Sequence, residues 1–283
     1  MSHHFHEPPV PKADASDFLG RFREIISDPL NLLIERDARS GIVEDDLVYL
    51  HNGNRVAVRG PLAYYEGFSD ILIINRGVHE PLEEYVFQQL MKVIPARPSM
   101  IELGAYWGHY SMWLKRVRPH ATTILVEPEE SNLQVGRVNF ERNKYEGEFI
   151  QAFVGNGHFS VDRFFYERSL SHLDILHSDI QGFEVDMLPG GSETFTAQKI
   201  DYVFVSTHSQ KGHHFVESSL RNYGYRIEVA SDFEHDTTSY DGLVFASSQN
   251  VQPLFSNFTT FGRENIVNSS ASQLVDIVKA RIP

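Results

Sequence analysis

Over the first 75 positions the apolar residues fall in short runs of mixed period. Phe18, Phe22, Ile25 and Ile26 recur at helical spacing behind Ser16, a residue placed to cap. Pro29 follows Asp28 and suits the first turn of a second helix, which should stop at Gly41. Residues 47–50 and 55–58 flank His51-Asn52-Gly53-Asn54, and Asn-Gly tolerates the positive φ that a hairpin turn demands. Beyond Asn75 the pattern becomes an alternation of helix and strand. Helices are predicted at 81–93, 110–116, 131–142, around 184–188 and at 215–223. Short apolar strands are predicted at 100–103, 123–126, 149–154, 173–178, 202–205, 225–229 and 243–246. That order argues for an α/β protein whose doubly wound, mostly parallel sheet is covered by helices on both faces. The organisation read from these patterns is a flexible arm at 1–15, an α+β extension at 16–75, a main domain at 76–250 and a tail at 251–283 with a helix around 273–280. Pro8, Pro9 and Pro11 keep the arm out of regular structure, and His3, His4 and His6 are read as part of that leader and not as a metal tuft.

Composition narrows the chemistry. The 283 residues contain no Cys, which removes disulfides, Cys-ligated zinc, iron–sulfur clusters and thiol catalysis together. With 25 Lys+Arg against 38 Asp+Glu the formal charge is −13, which disfavours a nucleic-acid partner, where basic side chains must displace counterions. The first twelve residues lack the apolar core of a secretory signal, and the run at 71–74 is far short of the roughly 20 residues of a membrane span. The expectation is a soluble, cytoplasmic protein with neither a membrane nor a nucleic-acid partner.

The informative segment is Glu102-Leu103-Gly104-Ala105-Tyr106-Trp107-Gly108-His109-Tyr110-Ser111. An acidic residue ends a strand, and glycines follow two and six positions later. In open α/β sheets ligands bind beyond the carboxyl ends of strands, and glycine there lets the backbone turn and approach a ligand closely. A dinucleotide fingerprint needs a third glycine where Tyr106 stands, so the loop fits a pyrophosphate poorly and a nicotinamide enzyme is disfavoured. Nineteen residues after Gly108 a second strand ends in Glu127-Pro128, the position from which a carboxylate binds ribose hydroxyls. An acid that can pair with an ammonium group, a ribose partner and no phosphate cradle together suit S-adenosylmethionine.

Val78-His79-Glu80-Pro81, residues 101–111, Val126-Glu127-Pro128 and Ser178-Asp179-Ile180-Gln181-Gly182-Phe183-Glu184 resemble the FkbM-type S-adenosylmethionine-dependent methyltransferases, with Asp-x-x-Gly-Phe-Glu the most specific piece. The resemblance covers residues 75–250 and implies the Rossmann-like class I methyltransferase fold, a seven-stranded, mainly parallel sheet whose last strand runs antiparallel. It implies that Glu102, Gly104, Ala105, Tyr106, Gly108 and Ser111 surround the methionine part of the cofactor. Glu127 and Pro128 would meet the ribose, Ala152 and Phe153 would lie near the adenine, and Asp179 would border the same site. The sequence departs from the family in having Glu102 where Asp is commoner, Tyr106-Trp107 where Asn-Ile or similar is commoner, and Ser206 at a commonly acidic position.

Methyl transfer to an alcohol needs an aligned hydroxyl, a dry site and a destination for the proton. Asp179 and His208 each end a strand and are the candidate catalytic residues. Alternatively they ligate Mg²⁺ or Mn²⁺ with His235, Asp236 or Asp241, although no spacing forces that geometry and a metal-free reaction is the reading adopted. His213 and His214 are read as surface residues, His172 and His177 as packing or edge residues, and the aromatic segments 64–66 and 163–166 as core. The acceptor pocket is expected from the N-terminal region and loops such as 231–240. The function so inferred is O-methylation of a small molecule, a sugar, glycan or natural product; N-methylation of another acceptor and a non-catalytic cofactor-binding scaffold are the alternatives.

Overall fold

A computed structural model describes residues 18–65, 67–155, 158–239 and 241–280. The chain begins with α1 (Phe18–Ser27), a 3-10 turn at Pro29–Leu32 and an antiparallel sheet of β1 (Val43–Glu44), β2 (Leu47–Tyr49) and β3 (Arg55–Ala57), followed by α2 (Asp70–Ile74). The main body runs α3 (Pro81–Val93), β4 (Ser99–Leu103), α4 (His109–Val117), β5 (Thr122–Glu127), α5 (Glu130–Asn143), β6 (Glu148–Gln151) and α6 (Val161–Glu167). It continues through β7 (Leu173–Ser178), α7 (Glu184–Met187), α8 (Ser192–Thr196), β8 (Ile200–Thr207), α9 (Gln210–Asn222), β9 (Arg226–Ser231) and β10 (Gly242–Ser247). Helices α10 (Arg263–Asn268) and α11 (Ala271–Lys279) follow. Among the described residues no helix is long and apolar enough to cross a membrane.

The large sheet has seven strands in the order β6-β5-β4-β7-β8-β10-β9. Pairing is parallel from β6 to β8, and β10 is antiparallel to both β8 and β9. The chain therefore builds outward from β4 on one side and then returns to lay β7 on the other, which makes the carboxyl ends of β4 and β7 the topological switch point. Alternating side chains supply both faces. Met100, Ile175, Phe204 and Phe245 pack with Phe87, Leu90 and Trp113, whereas Ile101, Leu176, Val203 and Val205 join Phe164, Met187 and Leu220.

The N-terminal segment is wired into this body. Ile25, Leu50, Val56 and Phe68 share one apolar cluster with Ala105, Trp107 and Met112, so the extension packs directly on the loop after β4. Arg55 N donates to the Asn143 side chain at 2.9 Å, Tyr145 Oη to Asn54 at 2.7 Å, and Thr238 Oγ1 donates to Asp28.

Several expectations change. The second helix does not reach Gly41: it is one 3-10 turn, because Glu35 N is taken by Gln88 at 2.6 Å and Asp37 N by the His51 carbonyl at 2.7 Å. The strand expected to reach residue 154 stops at Gln151. Helix α9 starts five residues early because Ser209 caps it through Gly212 N, and this turns His213 inward, buried, with Nδ1 3.0 Å from Thr207 Oγ1. The surface reading thus holds for His214 alone. Strand β1 and helices α6, α8 and α10 were not anticipated; Ser16, His3, His4 and His6 lie outside the described residues.

Candidate active site

The loop between β4 and α4 is fixed from both sides. Glu102 folds under the first turn of α4 and accepts Ser111 N at 2.9 Å and Tyr110 N at 3.4 Å, satisfying amides that a helix start leaves open. Burial raises its carboxyl above the ordinary range despite these donors. Gly104 has φ +72°, and a Cβ there would stand 1.7 Å from the Asp179 carbonyl oxygen, so only glycine lets the ends of β4 and β7 meet. Gly108 serves packing instead: a Cβ would press on Leu125 at 2.9 Å and Phe140 at 3.1 Å.

Two cavities open at this point. The smaller, about 180 Å³, is lined by Glu127, Pro128, Asn132, Phe153, Ile180 and Phe183 together with Gly104, Tyr106 and Asp179. Glu127 is 5% exposed and accepts Glu129 N at 3.1 Å, Tyr106 N at 3.2 Å and Asn132 Nδ2 at 3.3 Å, while burial pushes its carboxyl up. Phe153 and Phe183 meet edge to face at 4.5 Å and give this cavity an apolar wall.

The larger cavity, about 190 Å³, shares Tyr65, Gly104, Tyr106, Asp179 and Gln181 with the first and extends to His79, His109, His177, Glu80 and Asp241. Asp179 is held by Gln181 Nε2 at 2.9 Å and by His208 Nε2 at 3.0 Å; the same imidazole nitrogen is 3.3 Å from Asp241, and its Nδ1 is 3.0 Å from Glu184. Burial alone would lower the His208 pKa, but hydrogen bonds to Asp179 and Glu184 and the charge of Asp241 raise it to about 11. These three carboxylates favour the protonated ring of His208. That runs against the expected role of proton acceptor, which needs a free lone pair, and the same pairing holds the Asp179 carboxyl below its ordinary value despite its burial.

Behind these groups lies a buried ionic network. Glu84 accepts His79 N at 2.9 Å and Glu80 N at 3.2 Å, capping its own helix, and pairs with His79 Nδ1 at 2.6 Å and His51 Nδ1 at 3.0 Å. Burial works against its ionisation, but the two imidazoles outweigh that and hold its carboxyl well below the ordinary value. Glu83 binds His177 at 2.5 Å and accepts from Ser206 Oγ at 2.9 Å, which gives the departure at Ser206 its partner. For Glu80 the balance goes the other way: burial, with Glu83, Asp179 and Asp241 against His79, pushes its carboxyl up to about 8.

Of the residues singled out from the sequence, Glu102, Gly104, Ala105, Tyr106, Glu127, Pro128, Phe153 and Asp179 border the two cavities. Gly108, Ser111, Ala152 and His208 do not line either one: Ser111 serves as a backbone donor, Ala152 packs against the core, and His208 stands behind Asp179 and Asp241. Of the possible third partners for Asp179 and His208, only Asp241 comes within reach; His235 is exposed and 3.0 Å from Asp232. Tyr65, read as core, is 51% exposed and borders both cavities. His177 is a packing residue that also faces the larger cavity, and His79, Glu80, His109 and Tyr110 were not proposed as site residues. A cue lay in the start of α3, where Glu80, Glu83 and Glu84 put three acids in one turn of an otherwise apolar helix.

A seven-stranded sheet in this order, with its penultimate strand position reversed and its crevice at the β4–β7 switch point, defines the class I S-adenosylmethionine-dependent methyltransferases. The residues fit that cofactor: no Lys or Arg among the described residues lines either cavity, as suits a phosphate-free adenosine, and the buried carboxylate of Glu127 borders the smaller one. The family model described as the methyltransferase FkbM domain matches residues 157–227, the segment carrying Asp179 and His208, and over that segment the chain is similar to FkbM-type methyltransferases. No curated protein matches it. Among solved structures it is similar to the precorrin-6y C5,15-methyltransferase of Geobacter metallireducens, at 12% identity over 59% of this chain and 88% of that one, with a TM-score of 0.44. It is also similar to TrmK of M. capricolum in complex with S-adenosyl-homocysteine, at 14% identity, 69% and 81% coverage and a TM-score of 0.42. A methyltransferase FkbM from Methylobacillus flagellatus is similar at 16% identity, 55% of this chain and 45% of that one, with a TM-score of 0.44.

Proposed function

We propose that the enzyme methylates a hydroxyl group of a small polar acceptor, a sugar, glycan or natural product met in the cytoplasm. One observation carries this reading: Asp179 borders both cavities, so its carboxylate stands between the cofactor side and the space left for an acceptor. When bound, the cofactor supplies a methyl group on a sulfonium and leaves as a neutral thioether. As the new C–O bond forms, the hydroxyl proton passes to Asp179, whose geometry is fixed by His208 and Gln181. The mixture of aromatic rings (Tyr64, Tyr65) with carboxylates (Glu80, Asp241) suits a polyol, which offers apolar faces to rings and hydroxyl donors to acids. The test is formation of S-adenosylhomocysteine on a panel of glycans and hydroxylated small molecules. Turnover that vanishes in Asp179→Asn while cofactor binding persists supports the reading; turnover only on amines, or tight cofactor binding with no product on any acceptor, replaces it with N-methylation or a scaffold role.

A metal-assisted form of the same reaction is favoured by one feature. His208 Nε2 is 3.0 Å and 3.3 Å from single oxygens of Asp179 and Asp241, close to the roughly 3 Å edge of an octahedron with bonds of about 2.1 Å. Glu184 on Nδ1 orients the ring as an outer partner of a metal-bound histidine does. Activity lost in EDTA and restored by Mg²⁺ or Mn²⁺ selects this form, and activity indifferent to EDTA selects the metal-free one.

A further inference from the structure

We infer that the carboxylate at the amino-acid end of the cofactor is held by two imidazoles, His109 and His79, in the larger cavity. The inference rests on the cofactor reading and goes on to assign its methionine end. With the base and ribose on the Glu127 side, the rest of the molecule must pass Gly104, Tyr106 and Asp179, which are among the residues common to both cavities, into the larger one. That end bears an ammonium and a carboxylate. Carboxylates are abundant there for the ammonium, and with no Lys or Arg among the described residues lining the cavity, imidazoles are the side chains that can bring positive charge to a carboxylate, beside the neutral donors of Tyr64, Tyr110, Trp107 and Gln181.

His109 meets that need. It is 1% exposed, and neither of its ring nitrogens has a hydrogen-bond partner, although buried polar groups in folded proteins are almost always paired. Its ring is stacked on Trp107 at 4.9 Å and crossed edge-on by His79 at 4.7 Å, which fixes its plane without using its nitrogens. Burial and the nearby His79 charge hold its pKa well below the ordinary value, leaving a neutral ring with one N–H to give. His79 adds charge. Its Nδ1 lies at ion-pair distance from Glu84, 2.6 Å, without hydrogen-bond geometry, and Glu80 and Glu84 outweigh burial to raise its pKa. Its Nε2 is 3.5 Å from Glu80, beyond a good hydrogen bond and open to a better acceptor.

Calorimetry with two ligands tests this: S-adenosylhomocysteine, which has the amino-acid end, and 5′-methylthioadenosine, which is the same adenosine thioether without it. The wild type is expected to prefer the first by about tenfold or more. In His109→Phe, which keeps a ring on Trp107, that preference should collapse while methylthioadenosine affinity stays within about twofold; His109→Gln, which restores a donor, should recover part of it. Equal binding of the two ligands by the wild type overturns the inference and leaves the cofactor reading intact, whereas binding of neither sinks the cofactor reading itself. An equal loss for both ligands in His109→Phe gives His109 a structural role and overturns it too. So does a stoichiometric metal ion in the purified protein that His109→Phe loses, since His51, Glu84 and His109 each bring a donor atom within 4.8 Å of the others and the free nitrogen would then belong to that ion.

Discussion

The two cavities that meet at Gly104, Tyr106 and Asp179 are built by opposite means. The smaller is made of strand ends and the turns directly after them, with apolar rings and one buried carboxylate. The larger takes Tyr64 and Tyr65 from the N-terminal extension, His79 and Glu80 from the approach to α3 and Asp241 from the loop before β10, and it concentrates imidazoles and acids. Sheet topology dictates the first, because any chain with this strand order brings Glu127 and Gly104 to the same crevice. The second depends on segments that pack around the sheet, where chemistry can vary without disturbing the fold.

The substitution that presses hardest on this division is Asp179→Ala. If Asp179 acts on the acceptor side, kcat should fall about a thousandfold while S-adenosylhomocysteine affinity stays within about threefold. Rapid-quench turnover beside calorimetry separates the two, and a matching loss of affinity would move Asp179 to the cofactor side. Next in size is Gly104→Ala. A methyl group 1.7 Å from the Asp179 carbonyl forces the tips of β4 and β7 apart, and the residue is also strained at φ +72°. A cost of about 3 kcal/mol should lower the melting temperature by about 6–12 °C. An unchanged melting curve would mean that the two strand tips have slack that the geometry denies them.

Glu127→Ala should act on the cofactor side alone. Losing hydrogen bonds to a buried carboxylate corresponds to about a 10- to 100-fold weaker cofactor, with kcat at saturation nearly unchanged. Glu127→Gln, which keeps one acceptor oxygen for Tyr106 N or Glu129 N, should fall between. A drop in kcat at saturating cofactor would show that the ribose end and the acceptor end are not separable.

The contrast also explains what could be read from the sequence. Strand ends were legible because a run such as Met100-Ile101-Glu102-Leu103-Gly104 states its burial, its end and its turn within five residues, and β4 follows it closely. Glu127 was legible from its distance to the glycine loop. The buried network was not: Glu84 meets His51 from a turn 33 positions earlier, and Glu83 meets Ser206 across 123, and nothing local marks either pair. His213 failed for a related reason, since its inward face depends on where Ser209 starts the helix. The protonation of His208 was not legible because three carboxylates surround it, from the end of β7, α7 and the loop before β10, and their sum favours the charged ring.

The effect at Glu80 depends on pH. Its carboxyl is pushed up to about 8 in the folded protein by burial and by Glu83, Asp179 and Asp241, against His79, with Tyr110 Oη donating to it at 2.8 Å; unfolded, it titrates near 4.5. Between those values the folded state holds the proton more tightly than the unfolded chain. The stabilising contribution is therefore fully present below about pH 4.5 and is lost as pH rises through 8. Glu80→Gln resembles the protonated form at every pH. The melting temperature of Glu80→Gln minus that of wild type should thus be small at pH 5, grow more positive as the pH rises, and level off above about pH 8. Differential scanning calorimetry in low-absorbing buffers across that range reads the difference directly. A gap that does not change with pH would mean that Glu80 ionises like a surface acid, and the larger cavity would then carry one more negative charge than the arrangement of its neighbours permits.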